Sequence, residues 1–290
     1  MPSARSDNTR SALLVVVVMY ERAVSESAAC VSLLDQANDG SWTVLVYDNS
    51  PTLRDHPPGR YISVHDRSNG GVAAAYNRAL LEAAARGCAW LLLLDQDTEL
   101  PPHFIQDLLV KISTLQSDGR IAAIVPRVEM KGSKLSPVYP GMFGGRPYQQ
   151  KCGAESRWLM AINSGTAVRV DFMRSIGGFS NEFWLDYLDH WLFRKICECK
   201  AQVYVNDIVI EHDLSIHDVG RSMTPSRYKN YLAAERLFTN RYLPQTWRPV
   251  LCMRLWARGI RHLIFTPDKE FCRMTLISGW QQLLSVIGIR

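Results

Sequence analysis

Short apolar runs alternate with amphipathic stretches through the first 130 residues. Residues 13–19, 42–47, 61–64, 90–94 and 121–125 each have the length of a strand buried on both faces. Between them, 22–38, 71–86 and 103–116 combine helical spacing with good helix formers. This alternation predicts an α/β chain with an open, mostly parallel sheet covered by helices. Residues 131–157 are rich in Gly, Pro and Tyr and show no period, so they read as a loop crossing the face of the protein. Then 159–170 reads as a strand kinked at Asn163-Ser164-Gly165, and Gly177-Gly178-Phe179 closes a short helix. Residues 186–200 form a helix with Tyr187, Trp191, Leu192 and Ile196 on one face, 203–210 form a strand, and from Ser226 onward the pattern is helical.

Composition adds mostly exclusions. The 290 residues are 47% hydrophobic and 21% charged, which rules out a disordered, collagen-like or coiled-coil chain. Seven cysteines without a C-x-x-C pair argue against a disulfide framework or zinc ribbon and for reduced thiols in a cytoplasmic protein. The apolar run ending at Met19 is far short of the roughly 20 residues that cross a bilayer, and Tyr20-Glu21-Arg22 is no signal-peptidase site. The net charge of +5 is uneven. Residues 221–290 hold 12 Lys/Arg against 3 Asp/Glu, a surplus of nine, so the first 220 residues are net acidic by four. Within this tail, helical segments 248–264 and 270–288 set Trp247, Leu251, Leu255, Trp256, Ile260 and Leu263 beside Arg248, Arg254, Arg258 and Arg261. That is the pattern of an in-plane helix at an anionic membrane surface, or of an amphipathic helix packed on the body. An acidic body without a recognised motif argues against a nucleic-acid partner.

On open parallel sheets, ligands bind beyond the C-terminal ends of the strands. The residues there are polar at end after end: Tyr20-Glu21-Arg22, Asp48-Asn49-Ser50-Pro51, His65 to Gly71, and Asp95-Gln96-Asp97-Thr98. Asp95 and Asp97, leaving a buried strand two residues apart, suit one hard divalent cation or a solvated turn. Asn69-Gly70-Gly71, with Asn77-Arg78 on the following helix, lets backbone amides approach an anion, yet matches neither the dinucleotide nor the P-loop pattern. Asp186 and Asp189 share one face of an opening helical turn, as caps or as a general base. His212 ends a strand and is a candidate metal ligand, with His65, His190 and His217 competing. The chain has no G-x-S-x-G elbow and no H-E-x-x-H, which disfavours a nucleophile-elbow hydrolase and a zincin.

Taken in order, the set resembles glycosyltransferase family 2, the inverting sugar transferases of GT-A fold, and within it the rhamnosyltransferase-like branch. The resemblance is carried by 15–20, 44–49, Asn69 to Ala73 with Asn77, Leu93 to Asp97, Asn163 to Thr166, Ile176 to Phe179, Phe183 to Asp189 and Glu211-His212. It implies a GT-A catalytic domain over 1–243, with a nucleotide-sugar half at 12–130 and an acceptor half at 131–243, followed by a basic helical extension at 244–290. It implies that Asp48 meets the nucleoside base and Asp95 the ribose and metal, with Tyr20, Asn69, Gly70, Gly71, Asn77 and Gln96 also around the nucleotide-sugar. Asp97 would ligate Mn2+ or Mg2+ with His212. Asp189 would be the catalytic base with Asp186 in reserve, and Ser164, Gly165 and Trp184 would meet the acceptor. The branch places an acidic residue shortly after the second Asp, and this chain has His190-Trp191 there. The implied reaction moves rhamnose from dTDP-rhamnose to a saccharide or lipid-linked saccharide in cell-surface polysaccharide synthesis such as O-antigen. The implied setting is the cytoplasmic face of the inner membrane, with room for a homo-oligomer. The alternatives are a non-catalytic nucleotide-sugar-binding module and a nucleotidyltransferase of similar fold.

Overall fold

The computed structural model describes residues 12–54, 61–130, 132–211 and 223–287. The apolar runs form parallel strands β1 (Leu13–Met19), β2 (Trp42–Asp48), β3 (Tyr61–His65) and β4 (Trp90–Asp95), with β5 (Ile121–Met130) longer than its apolar run. Helices α1 (Ala28–Leu34), α2 (Gly71–Arg86) and α3 (Phe104–Leu115) lie between them. The second half adds the short strands β6 (Ser133–Ser136), β7 (Val138–Tyr139), β8 (Arg146–Pro147), β9 (Gly153–Glu155) and β10 (Ala167–Arg169), helices α4 (Val170–Ser175) and α5 (Leu188–Glu198), and strand β11 (Gln202–Glu211). The chain ends in α6 (Pro225–Tyr242), α7 (Arg248–Phe265) and α8 (Lys269–Val286).

One sheet runs in the order β3-β2-β1-β4-β10-β5-β11-β9, with β6 paired to β5. β10 is antiparallel to both neighbours, β4 and β5, so the sheet reverses direction there. Alternate side chains supply two cores, as a period of two demands. Leu14, Val16, Leu91 and Leu93 pack under α2, α4 and α5, while Leu13, Val15, Val17, Leu92 and Leu94 pack under α1 and α3. Register brings the chemistry level: Met19 lies opposite Asp48, Val18 opposite Asp95, and Asp48 opposite His65. The strand ends therefore form a single rim.

Three expectations need correcting. Residues 131–157 are not a plain loop; they hold β6 to β9, whose two to four residues are too few to display a period. The strand expected over 159–170 shrinks to β10, because Val170 already opens α4. The helix expected over 22–38 is a 3-10 turn at Val24–Glu26 followed by α1, which starts where the Ser27 hydroxyl accepts the Cys30 amide as an N-cap.

The last two helices form a hairpin on α6. Tyr228 of α6 bonds through its hydroxyl to Thr275 at 2.7 Å and His262 at 3.2 Å, inside a small core with Met223, Leu232, Leu255 and Phe271. Arg258 of α7 pairs with both carboxylate oxygens of Glu235 on α6, at 2.8 Å each. Several residues expected at a membrane interface thus belong to the body: Leu255 is buried, Arg258 is paired, and Trp247 stacks on Trp158 at 5.9 Å. None of the described helices is long and apolar enough to cross a membrane.

Candidate active site at the strand ends

A cleft of about 950 Å³ opens over the rim. Tyr20, Asn69, Gly71, Asp95, Gln96, Asp97, Trp184, Asp186 and Asp189 all line it, so nine of the singled-out residues meet in one place. A smaller cleft, about 540 Å³, lies between α1 and the start of α3 and holds none of them.

One wall is built from turns that lock one another. The Tyr20 amide donates to Gln96 Oε1 at 2.8 Å, and the Glu21 amide to Ser50 Oγ at 2.7 Å. Asp48 is fully buried, its carboxylate accepting the amides of Ser50 at 2.9 Å and Arg54 at 3.4 Å. It holds the turn after β2 and does not line the cleft. Asp66 plays a similar part after β3. Bonds from the Ser68 hydroxyl, the Gly70 and Ser68 amides and the Tyr47 hydroxyl hold its carboxyl down to about 2, against the cost of burial. Gly70 therefore belongs to this turn, where a Cβ would come within 2.8 Å of the Asp66 carboxylate. Asn77 points away from the cleft and ties α2 to the backbone of Phe179 through both ends of its amide, at 2.8 and 2.9 Å.

Gly71 has φ +81 and admits no side chain, because a Cβ there would stand 2.3 Å from the Trp184 carbonyl and 2.4 Å from its ring. Trp184 in turn donates from Nε1 to the Asn69 carbonyl at 2.8 Å and accepts the Val72 amide at 2.8 Å. This clasp joins the two walls. Ser164 and Gly165 sit behind the site. Ser164 Oγ accepts the Asp95 amide at 2.9 Å and meets Thr98 Oγ1, while Gly165 leaves room for Ile210 and Pro126.

Carboxylates crowd the floor. Burial, with the charges of Asp97 and Asp189 added, pushes the Asp95 carboxyl up to about 7, offset in part by Arg227. Asp186 is raised for the same first reason, burial, with Arg227 Nη2 4.0 Å away pulling the other way. At Asp189 burial also pushes upward, but His190 outweighs it through its charge and through side-chain and backbone bonds, so Asp189 lies below the usual carboxylate range. Burial lowers His190, and the Asp189 charge and bond more than reverse it. The bond therefore favours a protonated imidazole beside an ionised carboxylate.

Among the other residues lining the cleft are Asn49, Tyr76, Asn163 and Arg227, which the sequence reading did not place in the site. Each carries a buried polar atom, respectively Oδ1, the phenol oxygen, Oδ1 and Nε, without a hydrogen-bond partner among the described residues. Asn49 and Asn163 stand inside motifs that the sequence does display, beside Asp48 and Ser164. Tyr76 is masked in the sequence by its place on the apolar face of α2, and nothing in the sequence marks Arg227.

Asp95 and Asp97 suit a hard divalent ion, since crowding with Asp189 concentrates carboxylates at the strand end and Arg227 offsets them only in part. No cluster of three His, Cys, Asp or Glu is arranged to hold an ion among the described residues, and His212 lies outside them.

Comparison with known proteins agrees with this architecture. Residues 14–168, more than half of the chain, match the family model described as "Glycosyl transferase family 2". No curated protein sequence matches significantly. Among solved structures, residues 1–349 of S. aureus TarS superpose with a TM-score of 0.51 at 14% identity, covering 94% of this chain and 89% of that one. The same TarS piece in complex with UDP-GlcNAc gives 0.52 at 16%, covering 94% and 81%. GalNAc-T7 with UDP, GalNAc and Mn2+ gives 0.55 at 12%, covering 95% and 56%. The chain spans 44% of a longer TarS structure. At these identities the structures establish the GT-A fold, and the family match establishes more: the chain belongs to glycosyl transferase family 2.

Proposed function

We propose that the chain is an inverting, divalent-metal-dependent glycosyltransferase that moves a sugar from a nucleoside diphosphate to a saccharide or lipid-linked saccharide hydroxyl. The donor that the sequence resemblance favours is dTDP-rhamnose, and the setting is the cytoplasmic face of a membrane. The observation that carries the reaction is the meeting of carboxylates from two halves of the chain. Asp95, ending β4, is raised first by burial and then by the charges of Asp97 and of Asp189 from the first turn of α5. A TarS piece bound to UDP-GlcNAc and GalNAc-T7 bound to UDP and Mn2+ share this fold, which supports a nucleotide-sugar and a divalent ion here.

In this reading Asp95 and Asp97 hold the ion, with His212 as a further ligand. A divalent ion held there would supply positive charge to the leaving diphosphate. Gln96, fixed by Tyr20, and the Asn69–Gly71 turn shape the donor wall. Asp48 keeps the turn after β2 in place beneath the nucleoside. Asp189 accepts the proton of the acceptor hydroxyl, whose oxygen attacks the anomeric carbon opposite the leaving diphosphate, so configuration inverts. Both bonds from His190 fall on Oδ1, so Oδ2 is the oxygen that takes that proton. Trp184 forms a platform for the acceptor, and Asp186 holds Arg227 beside it. The unpartnered atoms of Asn49, Tyr76, Asn163 and Arg227 gain their bonds from bound substrate.

A thermal-shift panel of nucleotide-sugars, each with and without Mn2+, tests the donor and the metal together. One nucleotide-sugar is expected to stabilise the protein only with metal. Asp97→Ala abolishes that response and transfer, and His212→Ala weakens metal affinity without unfolding the chain. Manganese affinity equal to wild type in both variants overturns the metal assignment.

A further inference from the structure

We infer that the outer face of the α7/α8 hairpin docks on an anionic lipid bilayer. The inference rests on the membrane setting of the reading above and not on its donor or metal. It replaces the residue set suggested by the sequence, much of which faces the body.

Helix α7 carries two apolar stripes. Cys252, Leu255, Gly259 and His262 are buried. Met253, Ile260 and Ile264 recur at helical spacing on another side and are 63%, 55% and 64% exposed. Each of these three stands two positions, about 200° of helical turn, from Leu255, Arg258 or His262, the residues directed at α6. In α8, Ile277 and Trp280 stand two positions from Thr275 and Gln282, which bond to Tyr228 and Asn240 of α6, and both are about half exposed. The outward stripes of the two helices therefore share the side turned away from the body. The helices also lie close together: a Cβ on Gly259 would fall 2.5 Å from Leu276, and one on Gly279 3.2 Å from Trp256. The result is one apolar face, continued at the α7 end by exposed Leu263 and Phe265.

Charge selects the occupant. Arg254, Arg261 and Arg273 are exposed on the same hairpin and have no acidic partner among the described residues. The hairpin's two acids lie together at its turn, where Asp268 caps α8 by accepting the Glu270 amide. An apolar face rimmed by unpaired arginine complements anionic headgroups over an acyl layer. A two-fold pairing of copies through this face would bring the arginine rim toward itself, which disfavours a second copy as the occupant.

Co-sedimentation of the full chain with vesicles of phosphatidylglycerol and phosphatidylcholine, against phosphatidylcholine alone, tests the inference. The chain is expected to pellet with the anionic vesicles at low salt and to be released at high salt. Two triple variants are compared, Ile260→Asn/Ile264→Asn/Trp280→Gln and Arg254→Gln/Arg261→Gln/Arg273→Gln. All six side chains are exposed, so circular dichroism and melting temperature should match wild type. The arginine triple should bind anionic vesicles on the order of 10²-fold more weakly, and the apolar triple at least tenfold more weakly. Wild type remaining in the supernatant, or triples pelleting like wild type, overturns it. So does a concentration-dependent dimer that the apolar triple abolishes, since a second copy is then the occupant. Nucleotide-sugar binding without vesicles is read separately, so loss of either property leaves the other measurable.

Discussion

His190 engages Asp189 twice through a single oxygen: its amide donates to Oδ1 at 2.7 Å and its ring Nδ1 to the same atom at 2.8 Å. The ring rests 4.5 Å from that of Tyr187 and edge-on to Phe238, so the imidazolium is fixed from both sides. A carboxylate held this way keeps its orientation but loses basicity while its partner is charged.

A pH dependence follows. His190 is raised, so its contribution to stability is complete below about 6.5 and fades as pH rises through the higher folded value. Asp189 is lowered, so its contribution is present above about 4 and fades as pH falls. The pair therefore stabilises the fold in the window between, and His190→Gln should lower the melting temperature most at pH 5–6 and least above pH 9. Turnover in wild type should rise as His190 loses its proton, and His190→Gln should move that limb to lower pH. Melting and rate profiles that overlay wild type would remove the coupling.

Asp189→Asn should leave donor binding near wild type and cut turnover by a factor on the order of 10² to 10⁴. Asp186→Asn should act mainly through Arg227 and cost less. Steady-state kinetics with titrated donor decide between them, and the reverse ranking exchanges the two roles.

Gly71→Ala should disrupt the site more than the sheet. The new methyl group meets the Trp184 backbone and ring, and alanine at φ +81 adds about 1–2 kcal/mol of its own. Trp184 fluorescence, read against a Trp184→Phe background, should shift, and donor affinity should fall. An unchanged spectrum with full affinity would mean that the clasp relaxes freely.

Arg258→Met removes the partner of a largely enclosed Glu235, whose side chain is 15% exposed. Loss on the order of 2 kcal/mol is expected, less than for a fully buried pair because Arg258 keeps some solvent contact. Adding Glu235→Leu should recover much of it. Urea melts of the two single variants and the double variant measure the coupling, and additive losses would show the pair to be energetically idle.

Most of the parallel half of the sheet was legible because β1, β2 and β4 are buried on both faces and announce themselves as continuous apolar runs. The strand ends were legible for a related reason: carboxylates at 48, 95 and 97 directly after such runs have few structural excuses. What stayed hidden was brought together over long range. Arg227 reaches the cleft only because α6 starts beside α5, and Tyr76 is indistinguishable in sequence from its core neighbours Val72 and Leu80. Burial also hid functionally placed support. Asp48 and Asn77 read as ligand contacts, and the side-chain bonds described above tie each to a turn of the protein itself. On the tail, periodicity showed amphipathic helices but could not tell which of α7's two apolar stripes faced inward.

The antiparallel insertion of β10 has a consequence for the order of folding. Strand β4 has one parallel neighbour, β1, contributed by chain already made, while its other edge is covered by residues 165–169. During synthesis, a strand of six residues that reads Trp-Leu-Leu-Leu-Leu-Asp thus waits with one edge open while about seventy further residues emerge. Long-range closure of this kind is slow, and an open apolar edge pairs readily with other chains. Overproduction faster than closure should therefore send this protein into aggregates through β4, and slower synthesis at low temperature should spare it, with no change in the stability of the finished fold.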